Sequence, residues 1–404
     1  MNKFTSKLTG LIGVFFFLLL IACNTDDEPR LKTFSVGISA IFPEDFEDSQ
    51  AAGVTVRLKN LASGNQQEKV TDASGNVVFE ELVPGGYELN ANLSLTAEQA
   101  MELAGIATEI NLNYLNNNLM LSEETASKGP ISVRLAGSVS GDLVIKQVYY
   151  SGSKTPEGGN YFFDQFFEIY NNSSEPIALD GLYISNVYGP SGLINPNTPP
   201  TPFQDDSDHV YISTAWKIKG SGEENILQPF SSVVIAQQGI NHQAEEANPG
   251  SPVDLSSADF EFFVAGSTRD VDAPNVPNLE MIYHPFNPTF ALVPVFGPGT
   301  IIWRTDDFAA LDQVSIPDTS PTYPQVVKVP NALVIDAVEA LRSENDGSFK
   351  RISASLDAGF IHVSDTYTGE SIIRKAFSID GNTVYQDTNN SQADFEVLAI
   401  PVLP

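Results

Sequence analysis

Along most of this chain, apolar and polar residues alternate with a period of two. In Thr33–Ile41 the residues Phe34, Val36 and Ile38 fall on one face, and Val54-Thr55-Val56-Arg57-Leu58 alternates more cleanly. Tyr87 to Leu95 does the same over a longer run, with Leu89, Ala91, Leu93 and Leu95 sharing a face. Such patterns predict half-buried β-strands. Asp72-Ala73-Ser74-Gly75-Asn76 separates two of them and reads as a turn, with Gly75 able to adopt positive φ. Further strands are predicted at Leu143–Tyr150, Phe166–Asn172, Ile177–Ile184, Leu227–Ala236 and Ala332–Glu339. Residues 97–106 are the one stretch read as a short helix, after Thr96 as N-cap. Asn116-Asn117-Asn118 and the stretch from Ser122 to Gly129 read as polar loop, so 97–129 is expected to be an insertion into the first domain.

The pattern predicts an all-β protein of two β-sandwich domains meeting near Ser140-Gly141-Asp142, over 33–140 and 141–404. Phe79 and Tyr87 are expected in the first core, and Phe167, Ile169 and Phe395 in the second. Two long segments rich in Pro and Asn, near 188–225 and 239–298, are expected as loop insertions in the second sandwich. Long loops on a rigid sandwich are where binding residues concentrate. The abundance of Phe (25) and Tyr (13) agrees with a strand-rich chain.

The N-terminus breaks the period. Lys3 and Lys7 precede an apolar run, Leu11 to Ile21, which ends in Ala22-Cys23. The run is shorter than the roughly 20 residues of a comfortable membrane span. It has the n-region, h-region and small residue of a secretory signal. Because Cys23 is the chain's only cysteine and falls at the processing point, residues 1–22 resemble a lipoprotein signal with Cys23 as the lipidated mature N-terminus. No disulfide or thiolate metal site then remains. Asp26, Asp27 and Glu28 lie in a tether over 23–32 and resemble an acidic export signal for surface display. An ordinary solvated tether accounts for the same three carboxylates.

With a formal net charge of −30, the chain repels phosphate backbones, and nucleic-acid partners are excluded. Catalytic signatures are absent: there is no H-E-x-x-H, P-loop or G-x-S-x-G sequence, and the four histidines are scattered. The chain reads as a non-enzyme with no required cofactor. Asp205, Asp206 and Asp208 are a candidate calcium site, because closely spaced oxygen ligands suit a hard cation, although no loop glycine or twelfth-position Glu accompanies them. Tyr188, Phe203, Tyr211, Trp216, Tyr283 and Phe286 are candidate ligand or partner contacts, with packing beneath the loops as the plain alternative.

Longer motifs carry resemblances. Thr71-Asp72-Ala73-Ser74-Gly75 through Phe79, followed by Leu82-Val83-Pro84-Gly85-Gly86-Tyr87, is similar to the prealbumin-like, carboxypeptidase-regulatory-like sandwich. Phe167-Glu168-Ile169-Tyr170-Asn171, Leu179-Asp180-Gly181 and Asp387-Thr388-Asn389-Asn390-Ser391 resemble the lamin-tail, immunoglobulin-like sandwich. Together they resemble the Bacteroidota lipoprotein family of unknown function DUF4876. That resemblance implies an outer-membrane lipoprotein, with an outer-membrane receptor or companion lipoprotein as partner. The implied role is an accessory binding component of TonB-dependent nutrient uptake, including iron or siderophore uptake. A surface adhesion or glycan-binding protein is the alternative.

Overall fold

The computed structural model describes residues 32–404, apart from 44–45, 47–48, 105–109, 140–141, 288 and 380. Cys23, Asp26, Asp27 and Glu28 lie outside the described residues, as does the junction at Ser140-Gly141. The fold is all-β and sandwich-type, with few and short helices.

Eight strands build the first sandwich: β1 Phe34–Ile41, β2 Thr55–Asn60, β3 Gln66–Val70, β4 Asn76–Leu82, β5 Gly85–Leu95, β6 Ile110–Leu121, β7 Ile131–Arg134 and β8 Ala136–Val139. They form a three-stranded sheet in the order β4-β1-β7 and a five-stranded sheet in the order β3-β2-β5-β6-β8. The alternating residues Val36, Ile38, Val56, Leu58, Leu89, Ala91 and Leu112 close one core, with Phe79 and Tyr87 buried among them. Gly75 takes φ +74° in the turn, where an added Cβ would lie 2.7 Å from the Ala40 carbonyl oxygen. The Tyr87 hydroxyl donates to the Val83 carbonyl at 2.8 Å and accepts from its N–H at 3.2 Å, which locks the Pro84-Gly85 turn.

Residues 97–129 are not an insertion, because 110–121 is a twelve-residue strand paired with β5 over nearly its whole length. Helix α1, Ala97–Ala104, precedes it, and α2, Glu123–Ser127, follows it. Ile110 and Leu112 supply the core face, while Asn111 and Asn113 turn to the opposite face. The asparagines depress strand propensity, which is why the segment reads as loop. Pairing with β5 and a covering on the far side override that preference.

The second sandwich packs a six-stranded sheet against a five-stranded one. The first, in spatial order, holds Phe260–Glu261, Ser232–Ala236, Phe166–Asn171, Leu143–Tyr149, Ser371–Arg374 and Phe395–Leu398. The second holds Glu280–Tyr283, Ala215–Lys217, Leu182–Asn186, Gly299–Arg304 and Val334–Glu339. Ile145, Phe167, Ile169, Ile184, Trp216, Ile302, Val338 and Phe395 fill the space between.

The segments 188–225 and 239–298 therefore contribute more than loops. Ala215–Lys217 and Glu280–Tyr283 belong to the five-stranded sheet, and Phe260–Glu261 is an edge of the six-stranded one. His209–Ile212 pairs with Val326–Pro330 in a further small sheet. Strands of two to four residues are too short to show a period of two, so these were legible only as Pro- and Asn-rich chain.

Glu261 sits buried in its edge strand and accepts the backbone N–H groups of Gly239 (2.7 Å) and Ala273 (2.8 Å). Burial pushes its carboxyl up to about 7, against those two donors and with help from the nearby charges of Asp272 and Asp270. Its folded pKa thus exceeds the unfolded value of about 4.3. The stabilisation from the protonated group is present at low pH and is lost as pH rises through about 7. Burial raises Asp270 as well, in the same sense. In urea titrations, stability is expected to fall from about pH 5 to about pH 8, and Glu261→Gln should flatten that slope. An unchanged slope in the variant would exclude Glu261 as its source.

Candidate binding groove between the two sandwiches

The Asn-bearing face of the five-stranded sheet is covered by the second sandwich. Asn90 Nδ2 donates to the Ala358 carbonyl (3.0 Å), Asn111 Nδ2 to that of Asp387 (3.1 Å) and Asn113 Nδ2 to that of Thr388 (3.4 Å). All three side chains are buried. An amide can bond to a carbonyl without burying a charge, so this face pairs with backbone at modest cost.

The segment that receives these bonds is stiff for local reasons. Asp394 accepts from the Thr388 hydroxyl (2.7 Å), the Thr388 N–H (2.8 Å) and the Asn390 N–H (3.1 Å). Asn390 caps the single-turn helix α3, Ser391–Asp394, by accepting from the N–H groups of Gln392 and Ala393. Ser391 donates its hydroxyl and N–H to the buried carboxyl of Asp357 (2.5 and 2.8 Å). Burial raises that carboxyl, although Lys350 and the Ser391 bonds oppose the rise. The polar run Asp387–Ser391 is thus structural, and what it displays is a set of carbonyls aimed at the first sandwich.

The contact is incomplete, and cavities open along it. One of about 400 Å³ lies between Thr55, Arg57, Asn92 and Asn113 on one side and Thr388 and Gln392 on the other. Two more, of about 180 and 510 Å³, flank Lys59, Glu88 and Glu344. A fourth, of about 500 Å³, is bounded by Asn116 and Asn118 of β6, by the 198–206 loop and by the 348–354 segment. The three larger volumes suit small-molecule recognition.

Two buried ion clusters brace the second-sandwich wall. The Glu339 carboxylate accepts from Arg351 Nε (2.7 Å) and from the N–H groups of Arg351 (2.9 Å) and Ile352 (2.8 Å). The Arg374 guanidinium bonds both oxygens of Asp336, at 2.7 and 2.8 Å, and stands 3.3 Å from Asp387 and from Asp394. Burial alone would lower its proton affinity, but the three carboxylates outweigh that and raise it.

The candidate residues scatter. Asp206 is occupied by protein: the Tyr211 hydroxyl (2.6 Å), His209 Nδ1 (3.0 Å) and Lys328 Nζ (3.0 Å) surround it. Partial burial acts to raise its carboxyl, but these partners hold it well below the usual range. Asp205 and Asp208 do not join it as a ligand set. Among the described residues no group of three or more His, Cys, Asp or Glu side chains is placed to hold a metal.

Of the aromatics, Trp216 lies buried in the sandwich core against Phe262, at 5.3 Å between ring centroids. Tyr211 is buried, Tyr188 packs on Phe286 at 5.4 Å, and the Tyr283 hydroxyl donates to the Gln325 carbonyl at 2.8 Å. Only Phe203 of the six borders one of the four groove cavities. The residues missed by sequence reasoning are those of the β6 face and of 348–354. A period-2 run of Asn on β5 and β6 was the available signal.

The comparisons fit this architecture. Residues 228–402 match the family model described as "Protein of unknown function (DUF4876)". The chain is DUF4876-like. It is similar to the crystal structure of a DUF4876 family protein from Bacteroides thetaiotaomicron VPI-5482, with 29% identity and a TM-score of 0.57. That likeness covers 91% of this chain and 96% of the other. A curated relative, Colossin-B of Dictyostelium discoideum, is 22% identical over 269 residues, which are 62% of this chain and 7% of that protein.

Proposed function

We propose that this DUF4876-like protein is a non-enzymatic lipoprotein of the outer membrane, displayed at the cell surface. It serves as an accessory binding component of a TonB-dependent nutrient-uptake system. The observation that carries the reading is the polar groove between the sandwiches, with preformed cavities and walls drawn from both. The histidines support a role without catalysis. His242 is held between the Tyr161 hydroxyl and the Gln238 carbonyl, and His284 and His362 each bond a backbone carbonyl. Burial lowers His242 to about 4, which keeps it neutral at physiological pH.

Crosslinking on intact cells followed by affinity capture tests the reading. Capture of a TonB-dependent receptor is expected from the wild type. The Cys23→Ala protein should be released into soluble fractions and capture none. Replacing Asp26, Asp27 and Glu28 by Ala should leave the protein membrane-bound but protected from external protease. Membrane retention of a processed Cys23→Ala protein, or capture that includes no such receptor, would contradict the proposal.

A further inference from the structure

We infer that the cavity of about 500 Å³ between Asn116 of β6, the 198–206 loop and the 348–354 segment is a subsite for a neutral saccharide. This rests on the binding role proposed above and names the class of nutrient it would engage.

The cavity is preformed. Gln204 Nε2 ties the loop to the carbonyls of Ser348 (2.9 Å) and Lys350 (3.1 Å), and the Thr201 hydroxyl ties it to that of Phe349 (2.9 Å). Phe203 holds φ +63°, an unusual conformation for a bulky residue, and stacks on Tyr211 at 3.9 Å between ring centroids, with planes 9° apart. A ligand therefore does not have to order the walls, and preorganisation of this kind favours affinity.

The charges in the wall are paired within the protein. Lys350 Nζ bonds the Gly359 carbonyl at 2.5 Å, Arg351 pairs with Glu339 and keeps only its Nη1, buried from solvent, without a hydrogen bond, and Asp206 has its three donors. What remains open to solvent is different in kind. The Asp205 carboxylate, the Asn116 amide nitrogen and the Ser348 hydroxyl bond to no other described side chain or backbone group, and Asp205 and Ser348 are exposed. A carboxylate, an amide and a hydroxyl together offer both acceptors and donors, which is what a row of sugar hydroxyls requires. Phe203 and Phe349 add apolar surface for the C–H faces of a sugar ring.

Other ligand classes fit less well. An anion would meet the unmatched Asp205 carboxylate in a chain of net charge −30. An apolar ligand would strip water from Asp205 and Asn116 without replacing it.

The test uses the detergent-solubilised full-length protein on an array of neutral oligosaccharides and their sulfated and uronic-acid counterparts. Calorimetric titration with the neutral oligosaccharide retained most strongly follows. Retention on neutral oligosaccharides is expected. Asp205→Ala and Ser348→Ala should each weaken the titrated affinity by about five- to tenfold, with thermal stability unchanged because both side chains are exposed. No retention, retention on anionic oligosaccharides alone, or full affinity in both variants would overturn the assignment. Receptor capture is read separately. Capture without saccharide binding removes this inference alone, whereas saccharide binding without capture removes the uptake role alone.

Discussion

Arg374→Met should destabilise the second sandwich by about 3–5 kcal/mol, the usual loss when one partner of a buried ion cluster is removed. Arg374 is 2% exposed, and its guanidinium serves Asp336, Asp387 and Asp394 together with the carbonyls of Ile145 (3.0 Å) and Gln386 (2.9 Å). Methionine fills part of the volume but leaves the buried carboxyls of Asp336 and Asp394 without this guanidinium. Asp336 will hold a proton to escape the penalty, because the guanidinium that opposed the effect of burial is gone. The variant's deficit against wild type should shrink as pH falls and grow as pH rises through about 7, where the wild-type Asp336 carboxyl, pushed up by burial and held down by Arg374, loses its proton. Both tryptophans of the chain, Trp216 and Trp303, lie in the second sandwich, so their fluorescence in urea reports this unfolding. A loss under about 1 kcal/mol, or one independent of pH, would show that the cluster is not an interdependent charged unit.

Phe79→Ala should cost the first sandwich about 3–5 kcal/mol, by lost burial and by the cavity left behind. The ring is fully buried, in one core with Ile38, Leu58, Leu89 and Leu112, and Lys69 Nζ lies 5.6 Å from its centroid. Neither tryptophan is in that core. Far-UV circular dichroism should therefore show an early transition, while tryptophan fluorescence stays near the wild-type midpoint. Equal shifts in both signals would mean that the two sandwiches unfold as one unit, coupled through the bonds of Asn90, Asn111 and Asn113.

The two sandwich cores differed in how readable they were. Long strands such as Gly85–Leu95 and Phe166–Asn171 announce themselves by period or by composition, and the core positions Phe79, Tyr87, Phe167, Ile169 and Phe395 all proved buried. The short strands at 215–217, 260–261 and 280–283 did not, because a strand that short is defined by its neighbours rather than by its own sequence. Trp216 illustrates the consequence. In a presumed loop it looks like a ligand contact, but in a sheet it is core.

The amino-acid sequence by itself determined the all-β class, the main core faces, the DUF4876 likeness and the stiffness of the Asp387–Ser391 turn. Those depend on periodicity and on side chains that bond to nearby backbone, and both are local properties. Only the tertiary structure decided that β6 is a strand with an interdomain face, that Asp206 is matched by Lys328 and Tyr211, and that Asn116, Asp205 and Ser348 border one cavity. Those three residues are separated by most of the chain, and no pattern of spacing connects them. Their meeting depends on how two sandwiches dock, a result of long-range packing and of amide-to-carbonyl bonds that neither sandwich encodes alone.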